Sequence, residues 1–400
     1  MVDNTYIIPT ENGDIIYAPL SHFVHLLSDK TNKIAIPPPV VNIKDTNHDY
    51  EFQWGHLIVI PTQICNLNCS YCYAHLAHSR QIIKRETLQA VLTFLLSQKQ
   101  ERHKTISFIG GGEPLIAWDV IEWSILFLEE HKDPADSLDI FLTTNGTLLT
   151  QERIDFILTH NIHLEVSFDI IKGIQDKQRP FLNNSISSYA SVIKHLAELE
   201  EKSIPYKIRT TITPESVPLM QEMVEQLVVY KHAKKIQFEP VSYETPLSLD
   251  YYKSFLEYFW KAREFGRINH IDISNSIIAS IKSIRDQFCT GEFCVTPDGK
   301  VVLCHRASSP NDKLYALNYV GEVLSRELLV KRQVFDSFRE RNKVPPRCKD
   351  CFARWHCAGF CPLEWENVTA IDINNKCWFI KENIKRALLE SINTADKFKV

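Results

Sequence analysis

Three cysteines lie within eight positions in the stretch CNLNCSYCYA: Cys65, Cys69 and Cys72. Thiolates bind zinc and iron, and a site built only from thiolates usually has four, because four sulfurs complete a tetrahedral zinc or saturate an iron–sulfur cluster. Here only three lie together. The spacing therefore predicts either a fourth ligand from a distant part of the chain or a metal centre with one position left open.

Eight of the 11 cysteines lie after residue 280: Cys289, Cys294, Cys304, Cys348, Cys351, Cys357, Cys361 and Cys377. The start of the chain has no secretory signal, and no apolar run approaches the ~20 residues of a membrane span. We therefore expect a cytoplasmic protein without membrane association, whose cysteines stay reduced and bind metal. Taken alone, the cysteines between 348 and 361 fit a zinc ribbon as well as an iron–sulfur cluster.

The composition is that of an ordinary folded protein. The 400 residues are 44% hydrophobic and 24% charged, with a net charge of −4. A general nucleic-acid-binding protein should be strongly basic, so we expect no nucleic-acid partner. A chain of this length should form several domains or one large barrel with extensions.

Between residues 56 and 266, short apolar runs alternate with stretches whose apolar residues recur every three or four positions. Six such β–α units in series predict an α/β fold with a parallel sheet, curled into a barrel or part of one. Two β-like runs around the turn TENG predict an N-terminal β-hairpin cap, and WFIKENIKRALLESI predicts a closing helix. The predicted division is a cap at 1–55, a barrel at 56–270 and a cysteine-rich domain at 271–400.

Polar residues follow the predicted strands, where a β/α barrel places its active site. GGGEP (Gly110, Gly111, Gly112, Glu113 and Pro114) follows the second strand, TTNGT (residues 143–147) the third, and SFD (residues 167–169) the fourth, while Arg209 lies in the fifth. Any one of these turns could simply be a tight loop. Together with the three cysteines they predict a binding site for a polar zwitterion or a nucleotide.

These residues resemble a known family. Cys65-x3-Cys69-x2-Cys72, with an aromatic residue before and after the last cysteine, resembles the signature of radical S-adenosylmethionine (radical SAM) enzymes. GGGEP and TTNGT resemble that family's SAM-binding segments, and the cysteines from 289 to 377 resemble the seven-cysteine SPASM domain. The resemblance extends from about residue 56 to 380. It implies a partial (β/α)6 TIM-like barrel, with the hairpin cap before it and a SPASM domain closed by a helix after it.

The resemblance also implies a chemistry. Cys65, Cys69 and Cys72 would hold three irons of a [4Fe–4S] cluster, and the open fourth iron would bind SAM. An electron from the cluster, supplied by a flavodoxin-type or ferredoxin-type donor, would cleave SAM to a 5′-deoxyadenosyl radical that abstracts hydrogen from the substrate. The protein would supply orientation and exclude water.

Site roles follow from the same resemblance. Gly110 to Glu113 would bind the amino group of SAM, Tyr71 would pack on adenine, Asn145 and Ser167 would bind ribose and carboxylate, and Arg209 would pair with the carboxylate. Ser167, Asp169 and Arg209 could instead be strand-end residues satisfied by backbone. The eight later cysteines would hold two auxiliary [4Fe–4S] clusters. By analogy with two-cluster ferredoxins, one set is Cys289, Cys294, Cys304 and Cys361, and the other is Cys348, Cys351, Cys357 and Cys377.

SPASM proteins mostly act on peptides, so the resemblance implies a maturase of a ribosomally made precursor peptide. The short cap favours the group that forms side-chain cross-links, such as cyclophane or ether bonds. Thioether formation, epimerisation and sulfatase maturation to formylglycine are the alternatives. Sulfatase-maturing relatives carry an aspartate after the cysteine at the Cys304 position, whereas this chain has His305. A non-enzymatic scaffold for clusters or zinc is a further alternative.

Overall fold

A computed structural model describes most of the chain: residues 4–27, 34–41, 52, 54–74, 80–183, 186–242, 246–312, 314–324, 326–331, 333–364 and 368–393. Parts of the predicted cap, residues 28–33, 42–51 and 53, lie outside this described part. Within it, the strands form one small antiparallel sheet and one large mixed sheet.

The N-terminal sheet has three antiparallel strands, β1 (Tyr6–Thr10), β2 (Gly13–Ala18) and β3 (Phe23–Leu27). The predicted hairpin is confirmed as β1 and β2, and β3 adds a third strand. Ile8 and Ile15 face each other in the register and are buried. The sheet packs on the C-terminal part of the chain, where the Tyr17 hydroxyl contacts Nε2 of His356.

Seven parallel strands in sequence order form the main part of the large sheet: β4 (His56–Val59), β5 (His103–Phe108), β6 (Ser137–Thr144), β7 (His163–Ser167), β8 (Tyr206–Ile212), β9 (Ala233–Pro240) and β10 (Asp272–Ser274). The helices that follow these strands are α1 (Arg85–Ser97), α2 (Trp118–His131), α3 (Gln151–Thr159), α4 (Lys172–Gln178), α5 (Ser188–Glu201), α6 (Met220–Leu227), α7 (Leu249–Ile268) and α8 (Ser276–Ser280). The six predicted β–α units are therefore present.

Strand β8 shows how the sheet is buried. Ile208, Thr210 and Ile212 are fully buried, whereas Lys207 and Arg209, which alternate with them, are exposed. Because successive side chains point to opposite faces of a strand, one face of the sheet packs against the helices and the other remains open. The core formed on the first face includes residues of both strands and helices.

The cysteine-rich part continues the same sheet. Four short strands, β11 (Phe293–Val295), β12 (Lys300–Val302), β13 (Tyr319–Leu324) and β14 (Glu327–Val330), join it through parallel pairing of β11 with β4. The large sheet therefore runs from β10 at one edge to β14 at the other, and it does not close into a barrel among the described residues.

Helices α9 (Tyr315–Asn318), α10 (Gln333–Asn342), α11 (Arg354–Cys357) and α12 (Ala370–Asn393) complete this part. The predicted closing helix is α12, which packs against α7, α8 and β3. None of the helices in the described ranges combines the length and the apolar character that crossing a bilayer requires.

Candidate functional site

The three clustered cysteines lie in the loop after β4, and backbone hydrogen bonds fix that loop. The Cys72 N–H donates to the Cys69 carbonyl at 3.2 Å. The N–H groups of Asn68 and Ser70 donate to the carbonyls of Pro180 and Gln178 at 2.8 and 2.9 Å. The segment that follows α4 therefore holds the cysteine loop in place.

The thiols of this loop lie close to one another. Burial raises the pKa of Cys65 to about 12, and the neighbouring Glu113, Cys69 and Cys72 groups raise it further. Burial also raises the pKa of Cys69, and Arg179 lowers it. The three side chains are partly exposed, and none of the 11 cysteines of the chain forms a disulfide. A set of three neighbouring, accessible thiols is present.

The GGGEP turn after β5 presses directly against the start of this loop. The Glu113 N–H donates to the Ile64 carbonyl at 2.9 Å. A Cβ atom added to Gly112 would lie 2.1 Å from the Ile64 oxygen and 2.6 Å from the Gln63 carbonyl carbon. Only glycine allows this approach, so Gly112 sets the position of the backbone just before Cys65.

The Glu113 carboxylate is only 1% exposed, and both of its oxygens accept hydrogen bonds from the protein. Its oxygens accept hydrogen bonds from Thr144 Oγ1 at 2.6 Å, the Asn145 N–H at 2.7 Å and the Leu115 N–H at 3.0 Å. Burial raises its pKa, and these hydrogen bonds lower it. The Glu113 side chain therefore joins the turns after β5 and β6. The binding of a ligand amino group by Gly110, Gly111, Gly112 and Glu113 stays a prediction.

Asn145 ties the turn after β6 to the cysteine loop. Its side-chain amide donates to Asn66 Oδ1 at 2.9 Å, and the Asn66 amide donates to Thr147 Oγ1 at 2.8 Å. Asn145 is thus in the vicinity of the three thiols. Its contact with a ribose stays a prediction.

Tyr71, Asp169 and Arg179 form a partly buried cluster beside the thiols. The Tyr71 hydroxyl donates to Asp169 Oδ2 at 2.6 Å, and the Arg179 guanidinium lies 5.8 Å from the centre of the Tyr71 ring. Burial raises the pKa of Asp169, which is 0% exposed, and Arg179 lowers it. The Arg179 guanidinium also donates to the Ser167 carbonyl at 2.6 Å, while its buried Nε has no hydrogen-bond partner among the residues that the structure describes.

Arg179 is the residue that sequence reasoning missed. Burial lowers its pKa, but the neighbouring Tyr71, Cys69, Asp169 and Cys65 groups raise it above its usual value overall. The sequence assigned a carboxylate-binding role to Arg209, which lies beside Ser167 in the register of β7 and β8 and is exposed. The only local signal for Arg179 is an arginine before Pro180, a feature too common to single it out.

A second set of thiols brings together cysteines far apart in sequence. Burial raises the pKa of Cys289 to about 11, and the Cys361 thiol is among the groups that raise it further. Burial also raises the pKa of Cys304, and the thiols of Cys361 and Cys289 are among the groups that raise it further. The Cys304 thiol is in turn among the groups that raise the pKa of Cys294. The Cys361 thiol therefore lies close to the thiols of Cys289 and Cys304.

The third set surrounds Cys357. Burial raises its pKa to about 12, and the thiols of Cys377, Cys348 and Cys351 raise it further. Across the described ranges, no three His, Cys, Asp or Glu side chains converge on one metal ion. A tetrahedral zinc would need all four sulfurs within about 2.3 Å of one point. The division of these eight thiols into two sets of four, and their ligation of clusters, stay predictions.

Tyr73 and His305 lie between the first two thiol sets. Burial raises the pKa of Tyr73, with contributions from Cys72 on one side and Cys294 and Cys304 on the other. Its ring packs edge-on against His305 at 6.1 Å. The His305 N–H donates to Glu292 Oε2 at 2.7 Å, and its Nδ1 lies 2.9 Å from the same oxygen. His305 is thus held in one orientation.

The donor sets fit iron–sulfur clusters. Thiolates are the ligands of such clusters, and the chain offers the thiols of Cys65, Cys69 and Cys72 and eight more between residues 289 and 377, none of them in a disulfide. Beside the set of three lies a guanidinium with an unpartnered buried Nε, which suits an anionic group of a ligand. The residues therefore fit both a cluster and a carboxylate-bearing ligand at the same place.

Comparison with known proteins agrees with this geometry. Residues 59–227 match the model of the Radical SAM superfamily. This part of the chain is therefore a radical SAM domain. The match supports the enzymatic interpretation over that of a non-enzymatic scaffold.

Two relatives differ in how much of their length is matched. An uncharacterised protein of Methanocaldococcus jannaschii is 29% identical over 46% of this chain and 62% of its own length, less than two thirds. A cysteine-type anaerobic sulfatase-maturating enzyme of Clostridium novyi is 24% identical over 72% of this chain and 82% of its own length.

Two solved structures share the fold. One is anSMEcpe with bound AdoMet and the Kp18Cys peptide, with a TM-score of 0.72, 19% identity, and coverage of 85% of this chain and 99% of the other. The second is SuiB of Streptococcus suis bound to its precursor peptide SuiA, with a TM-score of 0.56, 14% identity, and coverage of 80% and 74%. At these identities the likeness concerns the fold, and the predicted α/β architecture of a partial barrel is confirmed.

Proposed function

We propose that the chain is a radical SAM maturase that modifies a ribosomally made precursor peptide. The observation that carries this proposal is the set of three free thiols beside Arg179, in a domain of the radical SAM superfamily. Peptides are bound to two proteins of the same fold, anSMEcpe and SuiB. These likenesses support a peptide substrate for this chain.

Each part of the site has a separate task in this proposal. Cys65, Cys69 and Cys72 hold a [4Fe–4S] cluster, with Gly110, Gly111 and Gly112 beside the bound SAM. Arg179 pairs with the SAM carboxylate, since its unpartnered Nε lies in the partly buried cluster next to the thiols. The chemistry that cluster and SAM supply when bound is abstraction of a hydrogen atom from the substrate. Asp169 holds Tyr71 in place through its hydroxyl.

The two later thiol sets hold auxiliary clusters in a SPASM domain. The proximity of Cys361 to Cys289 and Cys304, and of Cys377 to Cys357, supports this assignment. An electron donor of the flavodoxin or ferredoxin type is a further part of the proposal. Free thiols in this number fit a reducing compartment, which supports a cytoplasmic location.

Within this class we favour formation of a side-chain cross-link. The supporting observation is His305, which Glu292 holds by two hydrogen bonds at the position where sulfatase-maturing enzymes carry aspartate. Sulfatase maturation is the second candidate. It is favoured by the alignment with the Clostridium novyi enzyme over 82% of that enzyme's length.

Co-expression with a short precursor peptide encoded beside the gene tests the proposal. A cross-link removes two hydrogens from the peptide mass, and fragmentation then fails between the joined residues. Formylglycine would instead react with an aldehyde-specific hydrazide, and epimerisation would leave the mass unchanged. A hydrazide-reactive product would favour the second candidate. A peptide that stays unmodified, while an anaerobic sulfatase also stays unmodified, would contradict the peptide-maturase proposal.

A further inference from the structure

Charged side chains cover the open face of the sheet on strands β7, β8 and β9. The strand register places them in rows across the three strands. One row contains Glu165, Lys207 and Lys235, and the next row toward the strand ends contains Ser167, Arg209 and Gln237. The second row lies two residues before Asp169 and Thr211, where the Thr211 N–H donates to Asp169 Oδ1 at 3.2 Å. It is thus near the end of the sheet that carries the cysteine loop.

The two rows differ in charge balance. Lys207 has Glu165 beside it in the register, and Lys235 lies 3.7 Å from Asp272. Arg209 has only the neutral residues Ser167 and Gln237 beside it. In the part of the chain that the structure describes, its guanidinium forms neither a hydrogen bond nor an ion pair, and its side chain is exposed.

The carboxylates near Arg209 are already engaged. Asp169 accepts hydrogen bonds from Tyr71 and from the Thr211 N–H. Glu239, two residues beyond Gln237 on β9, accepts hydrogen bonds from the N–H and the hydroxyl of Ser276 at 2.6 and 2.9 Å. Five guanidinium donors of Arg209 are therefore left for a ligand, in the fork geometry that fits a carboxylate.

We propose that Arg209 is a specificity-determining residue that binds a carboxylate of the peptide substrate, so that the substrate carries an aspartate or glutamate near the modified residue. This inference rests on the proposed function, because it requires a peptide on the open face of the sheet. SAM carries the same chemical group, but Arg179 lies beside the thiols and fits that carboxylate. The guanidinium of Arg209 then faces the substrate.

Selection from a display library of random ten-residue peptides tests the inference. The anaerobically reconstituted holoenzyme with SAM is compared with Arg209→Gln and with the matched control Lys207→Gln, a cation of the same strand face whose neighbour in the register is the acidic Glu165. We expect the parent and the control to enrich acidic residues. Arg209→Gln should lose this preference, and its affinity for a selected acidic peptide should fall about tenfold, as for loss of one charge-assisted pair. Replacing the acidic residue of that peptide by its amide should weaken binding to the parent and not to Arg209→Gln.

The affinity of each variant for SAM, measured separately, separates the two sources of a carboxylate. We expect this affinity to stay within about twofold in Arg209→Gln. A fall in SAM affinity with unchanged peptide selection would assign Arg209 to SAM and overturn the inference. Enriched peptides without an acidic preference would also overturn it while leaving the proposed function intact. Enrichment of no peptide by any form would contradict the peptide-maturase proposal itself, and the inference with it.

Discussion

Gly112 and Gly173 differ in the space around them, and this difference gives a direct test at the scale of one residue. A Cβ atom on Gly112 would overlap the Ile64 carbonyl, whereas a Cβ atom on Gly173 in α4 would meet nothing within 4 Å. We expect Gly112→Ala to displace the backbone before Cys65, to lower iron content by about four atoms per chain and to abolish SAM cleavage. Iron and sulfide analysis and a SAM-cleavage assay measure these effects.

Gly173→Ala is the control for this substitution. Alanine is a better helix former than glycine by about 1 kcal/mol, so the variant should be as stable as the parent or more so, with unchanged iron. Full iron content and normal SAM cleavage in Gly112→Ala would show that the close approach of the two turns does not position the cluster.

Arg179 gives a second test at this scale. We expect Arg179→Gln to weaken SAM binding by about tenfold or more, because a charge-assisted pair with the SAM carboxylate is lost. Its iron content should stay at the parent level, since Arg179 is not a ligand. Equilibrium dialysis with SAM measures the affinity. Arg267→Gln, which removes an exposed arginine paired with Glu264, is the control and should bind SAM as the parent does. If Arg179→Gln and Arg267→Gln bound SAM with the same affinity, Arg179 would not be a SAM-binding residue.

At the scale of elements, the sequence predicts what local periodicity encodes. The six strands β4 to β9 and their helices were predictable because apolar residues recur at the strand or helix period over long stretches. The strands β11 and β12 were not predicted, because each has three residues and its partners lie up to about 240 positions away in sequence. β10 is also three residues long and extends the parallel sheet beyond the predicted boundary at residue 270.

The candidate site also contains some residues that the sequence predicts and others that it does not. Cys65, Gly112 and Asn145 were predictable because each belongs to a short local pattern. The position of Arg179 over Tyr71 depends on contacts across more than 100 residues, as does the pairing of Tyr17 with His356. The arginine that the sequence predicts to bind a carboxylate lies on β8, and the fold places a second arginine, Arg179, beside the thiols.

An ion pair between helices gives a test at the scale of elements. Arg263 of α7 donates from Nε and Nη2 to the Glu390 carboxylate of α12 at 2.9 and 2.8 Å, with both side chains mostly buried. We expect a coupling free energy of about 1 kcal/mol in a double-mutant cycle of Arg263→Gln and Glu390→Gln, measured by urea unfolding. The exposed pair of Arg267 and Glu264 should give about 0.3 kcal/mol. Equal couplings would contradict a role of the first pair in docking α12.

At the scale of the whole molecule, Cys361 and Cys377 connect distant segments. We expect Cys361→Ala to perturb the cluster of Cys289, Cys294 and Cys304 and to spare the other, because the Cys361 thiol lies with Cys289 and Cys304. Cys377→Ala should perturb only the cluster of Cys348, Cys351 and Cys357. Electron paramagnetic resonance and Mössbauer spectra of the reduced protein distinguish the clusters. If Cys361→Ala lost only the signal of the cluster held by Cys357, Cys361 would belong to that cluster, and the assignments of Cys361 and Cys377 would be exchanged.

The central claim is that Cys65, Cys69 and Cys72 hold the cluster that cleaves SAM. The direct measurement is formation of 5′-deoxyadenosine after anaerobic reconstitution and addition of dithionite and SAM. We expect the parent to form it, and the variant with all three cysteines changed to alanine to form none while its iron content falls from about twelve to about eight atoms per chain. Formation of 5′-deoxyadenosine by the triple variant at the parent rate would contradict the claim.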